Sequence, residues 1–174
     1  DTSISYSDDM GINFIPPVQC SLDLDELNSD DVAVLLAGVR SLSKFDTVII
    51  DTDSVLNSRN ISLMDESNYV VMPLLQGALT EVKLEMMRRI IKLLKNDNEQ
   101  VLFEKVIPII NKYNQRSTEK EIIINGSAVK IKIPYLNDLF IKDAKNCKFS
   151  CNGRFAGFME EVLSDICRKT NLKR

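Results

Sequence analysis

Phe45 to Asp51 reads FDTVIID, an apolar, β-branched run closed by a carboxylate. It is too short for a helix and has no polar alternation, so it predicts a strand buried on both faces. Downstream, Tyr69 to Leu75 (YVVMPLL) predicts a second buried strand, interrupted or ended at Pro73. Asn60 to Glu66 lies between them as a short helix. Upstream, Asp30 to Ser43 spaces Val32, Leu35, Leu36, Val39 and Leu42 by threes and fours, a helix that Ser29 is placed to cap. On the far side, Thr80 to Lys95 sets Val82, Met86, Met87, Ile90, Leu93 and Leu94 on one side of a helix, with Glu85 and Arg89 as an i,i+4 pair on the other. Asn96-Asp97-Asn98 ends it.

Phe103 to Asn111 (FEKVIPIIN) predicts another buried strand, with Pro108 tolerated only near an edge or a bulge. Glu121 to Ile133 (EIIINGSAVKIKI) places two β-rich runs around Asn125-Gly126, a dipeptide suited to the positive dihedral angles of a tight hairpin. Val129, Ile131 and Ile133 alternate with Lys130 and Lys132, so one face is buried and one wet. Arg154 to Ile166 predicts a last helix that aligns Phe155, Phe158, Met159, Val162 and Ile166. Near the start, Ile12 to Ile15 is a short strand ended by Pro16-Pro17. Strands alternating with helices predict an α/β fold: a three-layer α/β/α arrangement around a mostly parallel, open sheet, with a β-hairpin near the end. Residues 1–11 read as an irregular leading segment and 12–174 as one domain.

The 174 residues carry 22 basic and 25 acidic side chains, a net charge of −3, with 44% hydrophobic and 27% charged residues, values that suit one globular domain and exclude a disordered or disulfide-dense chain. No apolar run is long enough for a membrane span and no signal peptide opens the chain, so a cytoplasmic protein is expected. Asp1 is not a Met, and the polar opening reads as a start inside a longer gene product or after a processing event. Four cysteines without an export signal read as reduced thiols, and the close pair Cys147 and Cys151 reads as two small loop side chains. With no His, self-contained Ser-His-Asp, Cys-His and His-metal hydrolase sites are excluded. The negative charge, the absence of Trp and the shortness of the basic tail (Arg168, Lys169, Lys173, Arg174) give no support for nucleic-acid binding.

In parallel sheets ligands sit beyond the carboxyl ends of the strands, here after Ile50, Leu75, Ile110 and Ile133. Asp51 can hold the water shell of a nucleotide-bound magnesium ion, and Asp53 adds a second carboxylate; alternatively the two cap the helix near Asn60. Asn111 offers a donor and an acceptor to a purine, or forms a turn. Pro134 precedes Tyr135, which lies against a base or in the core.

The order of these pieces resembles a known family. Residues 45–52 (FDTVIIDT), 65–73 (DESNYVVMP) and the helix to Lys95 are similar to the consecutive motifs of MinD/ParA-type P-loop ATPases. IIN at 109–111 and IPY at 133–135 are similar to the segments that frame the purine in that family. Phe14-Ile15-Pro16 and the acidic Asp23 to Glu26 resemble the CpaE-like subgroup of pilus assembly. The likeness covers Ile12 to Lys169 through short motifs. It implies Asp51 as the Walker-B carboxylate, Thr52 to Asn57 as a switch loop, Asn111 as the base-reading residue, Pro134-Tyr135 as the wall beside the base, and ATP and magnesium as cofactors. Two departures stand out: Asp53 occupies a position where the family has Pro, and none of the six glycines belongs to a phosphate loop. The expectation is therefore the carboxyl-terminal part of an ATP-hydrolysing positioning or assembly switch, a homodimer with Mg-ATP at its interface, inactive as this stretch alone. The alternative is a non-catalytic interaction module of a pilus or secretion machine. A related bacterial tyrosine kinase is a third reading, opposed by the lack of a tyrosine cluster in Cys167 to Arg174.

Overall fold

A computed structural model of the chain describes residues 6–7, 13–15, 26–42, 44–95, 99–136, 140–142, 147–149 and 153–170. The first elements are β1 (Tyr6–Ser7) and β2 (Asn13–Phe14), an antiparallel pair that draws part of the leading segment into a hairpin. Helix α1 (Ser29–Ser41) begins one residue earlier than its apolar spacing predicts, because Asn28 rather than Ser29 caps it. Asn28 Oδ1 accepts from the amides of Asp30 (2.8 Å) and Asp31 (3.2 Å), and Asp31 returns a carboxylate to the Asn28 amide at 3.0 Å. This reciprocal box satisfies amides that otherwise lack partners in the first turn. Helix α2 (Ser58–Glu66) starts the same way, with Asn57 accepting from the Asn60 amide at 2.8 Å.

Next come β3 (Val70–Leu74), the long helix α3 (Ala78–Lys95), the short helix α4 (Glu99–Glu104) and β4 (Val106–Tyr113). The minimal strands β5 (Ile123–Ile124) and β6 (Ser127–Ala128) form the hairpin around Asn125 and Gly126, whose φ values of 51° and 75° match the expected tight turn. The chain then forms β7 (Ile131–Pro134), the antiparallel pair β8 (Phe140–Lys142) and β9 (Cys147–Phe149), and α5 (Gly153–Thr170). Among the described residues the main sheet has three parallel strands in the order β3-β4-β7. The α/β expectation holds at this level: a parallel sheet with helices on both faces.

Strand β4 explains the layering. Val106 and Ile110 face a core built with Ile61 of α2, Leu84 and Ile91 of α3, Leu102 and Phe103 of α4, and Ile122, Ile124 and Val129 from the connection to β7. Ile107 and Ile109 face the other way, with Ile131 and Ile133 of β7, onto Val162 of α5. A central strand buried on both faces reads as a continuous apolar run for this reason. The register accounts for Pro108: pairing with β7 starts only at Ile109, so Pro108 has a strand neighbour on the β3 side alone. Pro73 is carried by β3, an edge strand among the described residues.

Three expectations are corrected. Phe45 to Asp51 is not a strand among the described residues: it lies extended without a ladder, with Val48, Ile49 and Ile50 at 49%, 90% and 38% exposure. A buried strand requires partners for its backbone groups as well as apolar side chains, and β3 takes none from this segment. Phe103 belongs to α4, not to the following strand; one turn of helix there lets Leu102 and Phe103 both enter the core. In α3 the core-facing positions are Thr80, Leu84 and Ile91, with Met87 and Ile90 of the expected stripe packed partly against the same core, while Val82, Met86, Leu93 and Leu94 of that stripe are exposed. The run Asn96 to Asn98, the prolines at 16–17, Cys151 and the basic tail beyond Thr170 lie outside the described residues. No described helix is long and apolar enough to cross a membrane.

Candidate functional site

The carboxyl ends of β4 and β7 open into one crevice of about 640 Å³. Its shape begins with a bulge. Asn111 is in register with Ile133, yet Tyr113 is in register with Pro134, so Lys112 is an extra residue on β4. Lys112 adopts φ 55°, a left-handed conformation, and its amide donates to Asn111 Oδ1 at 2.9 Å. Beyond the bulge the Asn114 amide donates to Gln76 Oε1 at 2.6 Å, which ties the end of β4 to the segment leaving β3.

Two chemistries line the crevice: the cations Lys112, Lys132 and Arg154, and the rings Tyr113, Tyr135 and Phe158, beside Pro134. Lys132 is already engaged, 3.0 Å from Glu121 and 5.2 Å above the Tyr113 ring, so it stiffens the wall as much as it contributes charge. Lys112 and Arg154 form no ion pair with a described residue and supply the net positive field. Tyr135 is 65% exposed, a ring at the rim rather than in the core. Cations beside aromatic faces suit a ligand that joins an anionic group to a flat ring, because phosphate or carboxylate takes the charge-assisted hydrogen bonds while the ring stacks.

The residues singled out in the sequence divide sharply here. Pro134 and Tyr135 line the crevice, and Asn111 stands at the bulge on its margin, outside the lining. Its side-chain oxygen is held by the next amide, the turn-forming role, while its carboxamide nitrogen remains available. Asp51 does not line the crevice and is exposed on the unpaired segment. Asp53 organises the entry to α2: its Oδ1 accepts from the Val55 amide at 3.0 Å and from Asn60 Nδ2 at 2.5 Å, and its Oδ2 is 3.5 Å from the Arg59 guanidinium. Of the two sequence readings of this pair, the helix-entry role is therefore the one Asp53 fills. No group of three or more His, Cys, Asp or Glu side chains placed to share a metal ion occurs among the described residues.

Sequence reading missed Lys112, Tyr113, Lys132, Arg154 and Phe158 as site residues. The polar run directly after IIN and a basic residue in the first turn of the last helix were the available signals. A smaller cavity of about 290 Å³ lies at the opposite end of the sheet, between Val106 to Pro108 and the hairpin. It is walled largely by aliphatic groups, and its one carboxylate, Asp165, is paired with Arg168, so it lacks the polar convergence of the crevice. The chain matches no family model and no curated protein.

Proposed function

We propose that this chain binds an anionic ligand with an aromatic ring, a nucleotide such as ATP, at the carboxyl ends of β4 and β7, as part of a MinD/ParA-like positioning or assembly switch. The convergence of Lys112 and Arg154 with the rings of Tyr113, Tyr135 and Phe158 in one crevice carries the reading. Parallel strands favour such a place, since the loops beyond their carboxyl ends converge there. The base is received between Pro134-Tyr135 and the bulge at Asn111, and the phosphates lie toward Arg154 and Lys112. Hydrolysis through Asp51, with magnesium and a second copy at the nucleotide, belongs to the same proposal but requires the 45–51 segment to join the sheet.

Titration with ATP, followed by calorimetry, tests the reading. Arg154→Ala removes a charge-assisted bond and is expected to weaken binding by about 1.5–3 kcal/mol. ATP affinity unchanged in that variant rejects the crevice as the phosphate site. The second reading, a non-catalytic interaction module, is favoured by the exposure of Val48, Ile49 and Ile50, an apolar strip that the described fold leaves uncovered. Magnesium-dependent ATP turnover that Asp51→Ala abolishes would decide against it.

A further inference from the structure

Helix α3 is apolar on two opposite faces. One face, Thr80, Leu84 and Ile91, is buried against the sheet. The other carries Leu79, Val82, Met86 and Leu93 at 67%, 55%, 57% and 79% exposure, while half-buried Ile90, at its border, packs partly against the core. Their spacing of three, four and seven residues makes a seam on the side away from the core, the pattern of a helix that packs on both sides. Along one flank of that seam the charge changes sign: Glu81 and Glu85 in the first half, Arg89 and Lys92 in the second, all exposed. Glu85 and Arg89 form an ion pair at 3.1 Å with side chains 58% and 75% exposed, which solvent screens and a better-buried partner can replace.

We propose that the outer face of α3 packs antiparallel against the same face of a second copy of this chain. In an antiparallel self-pair about a two-fold axis near Met86, the same flank meets itself reversed. Leu79 then meets Leu93 of the second copy, Met86 meets its own counterpart, and Val82 meets the part of Ile90 that the core leaves uncovered. Glu81 and Glu85 come opposite Arg89 and Lys92, and the two helix dipoles oppose. A parallel pair sets this flank against the other, which carries Lys83 and no acid. A membrane surface is disfavoured because Glu81 and Glu85 border the apolar seam where basic residues are required. This pairing uses no residue of the crevice and so stands apart from the nucleotide reading.

Sedimentation velocity over a concentration series tests it, with circular dichroism to verify helix content. The wild-type chain is expected to self-associate without nucleotide, and Met86→Glu to weaken the dimer on the order of a hundredfold, since the two-fold axis buries the new carboxylate against its copy. Two charge variants then fix the orientation. Glu81→Lys with Glu85→Lys makes the flank wholly basic, and Arg89→Glu with Lys92→Glu makes it wholly acidic. Each is expected to be monomeric alone and to form a one-to-one dimer when mixed with the other. A wild-type chain that stays monomeric, with or without cosedimentation on anionic phospholipid vesicles, overturns the proposal. So does a dimer that survives Met86→Glu, or one that either charge variant forms alone.

Discussion

Two apolar runs of similar composition meet opposite fates. Val106 to Ile110 (VIPII) is the middle strand of the sheet, with Ile107 at 1% and Ile110 at 3% exposure, whereas Val48 to Ile50 (VII) lies unpaired with Ile49 at 90%. Both runs have the β-branched content that favours a pleated, buried position. What separates them is company: β4 has β3 on one side, β7 on the other, and a helical layer on each face. Strand formation is thus a property of the neighbours that satisfy amides and carbonyls, and hydrophobicity alone does not recruit them.

The contrast is sharpest in paired truncations. Ile110→Ala is expected to destabilise the chain by about 2–5 kcal/mol in urea unfolding, while Ile49→Ala changes stability by no more than about 0.5 kcal/mol. Equal losses would mean that the 45–51 run is packed in solution and would erase the distinction. A smaller effect is expected at the hairpin that delivers β7 to β4. Gly126 has φ 75° with open space around it, so Gly126→Ala meets no neighbour and should cost about 1–2 kcal/mol through backbone strain alone. A neutral substitution there would show that the hairpin does not set the position of β7. A modest effect is expected just after the 45–51 run: Asp53→Ala should lower stability by less than about 1.5 kcal/mol, because Asn60 keeps its bond to the Val55 carbonyl at 2.7 Å. A larger loss would tie the unpaired segment to the core through α2.

The candidate site was partly legible for the same reason that the strands were. IIN and IPY mark where two buried runs turn polar, and the parallel register brings Asn111 beside Ile133 and Pro134. Lys132 and Arg154 were not legible as site residues: one sits in an alternating strand and the other opens a helix 22 positions away, and only the packing of α5 on β7 brings them to one crevice. Asp51 shows the converse. A carboxylate ending an apolar run is a site residue only if the run enters the sheet.

Local chemistry alone determined four of the five described helices, the hairpin turn and the α/β character, because capping side chains, three-and-four spacing and an Asn-Gly turn act within a few residues. Tertiary structure decided which apolar run became the central strand, which face of α3 met the core and which cations surround Tyr135, because each depends on residues distant in the chain arriving to satisfy backbone groups and cover side chains.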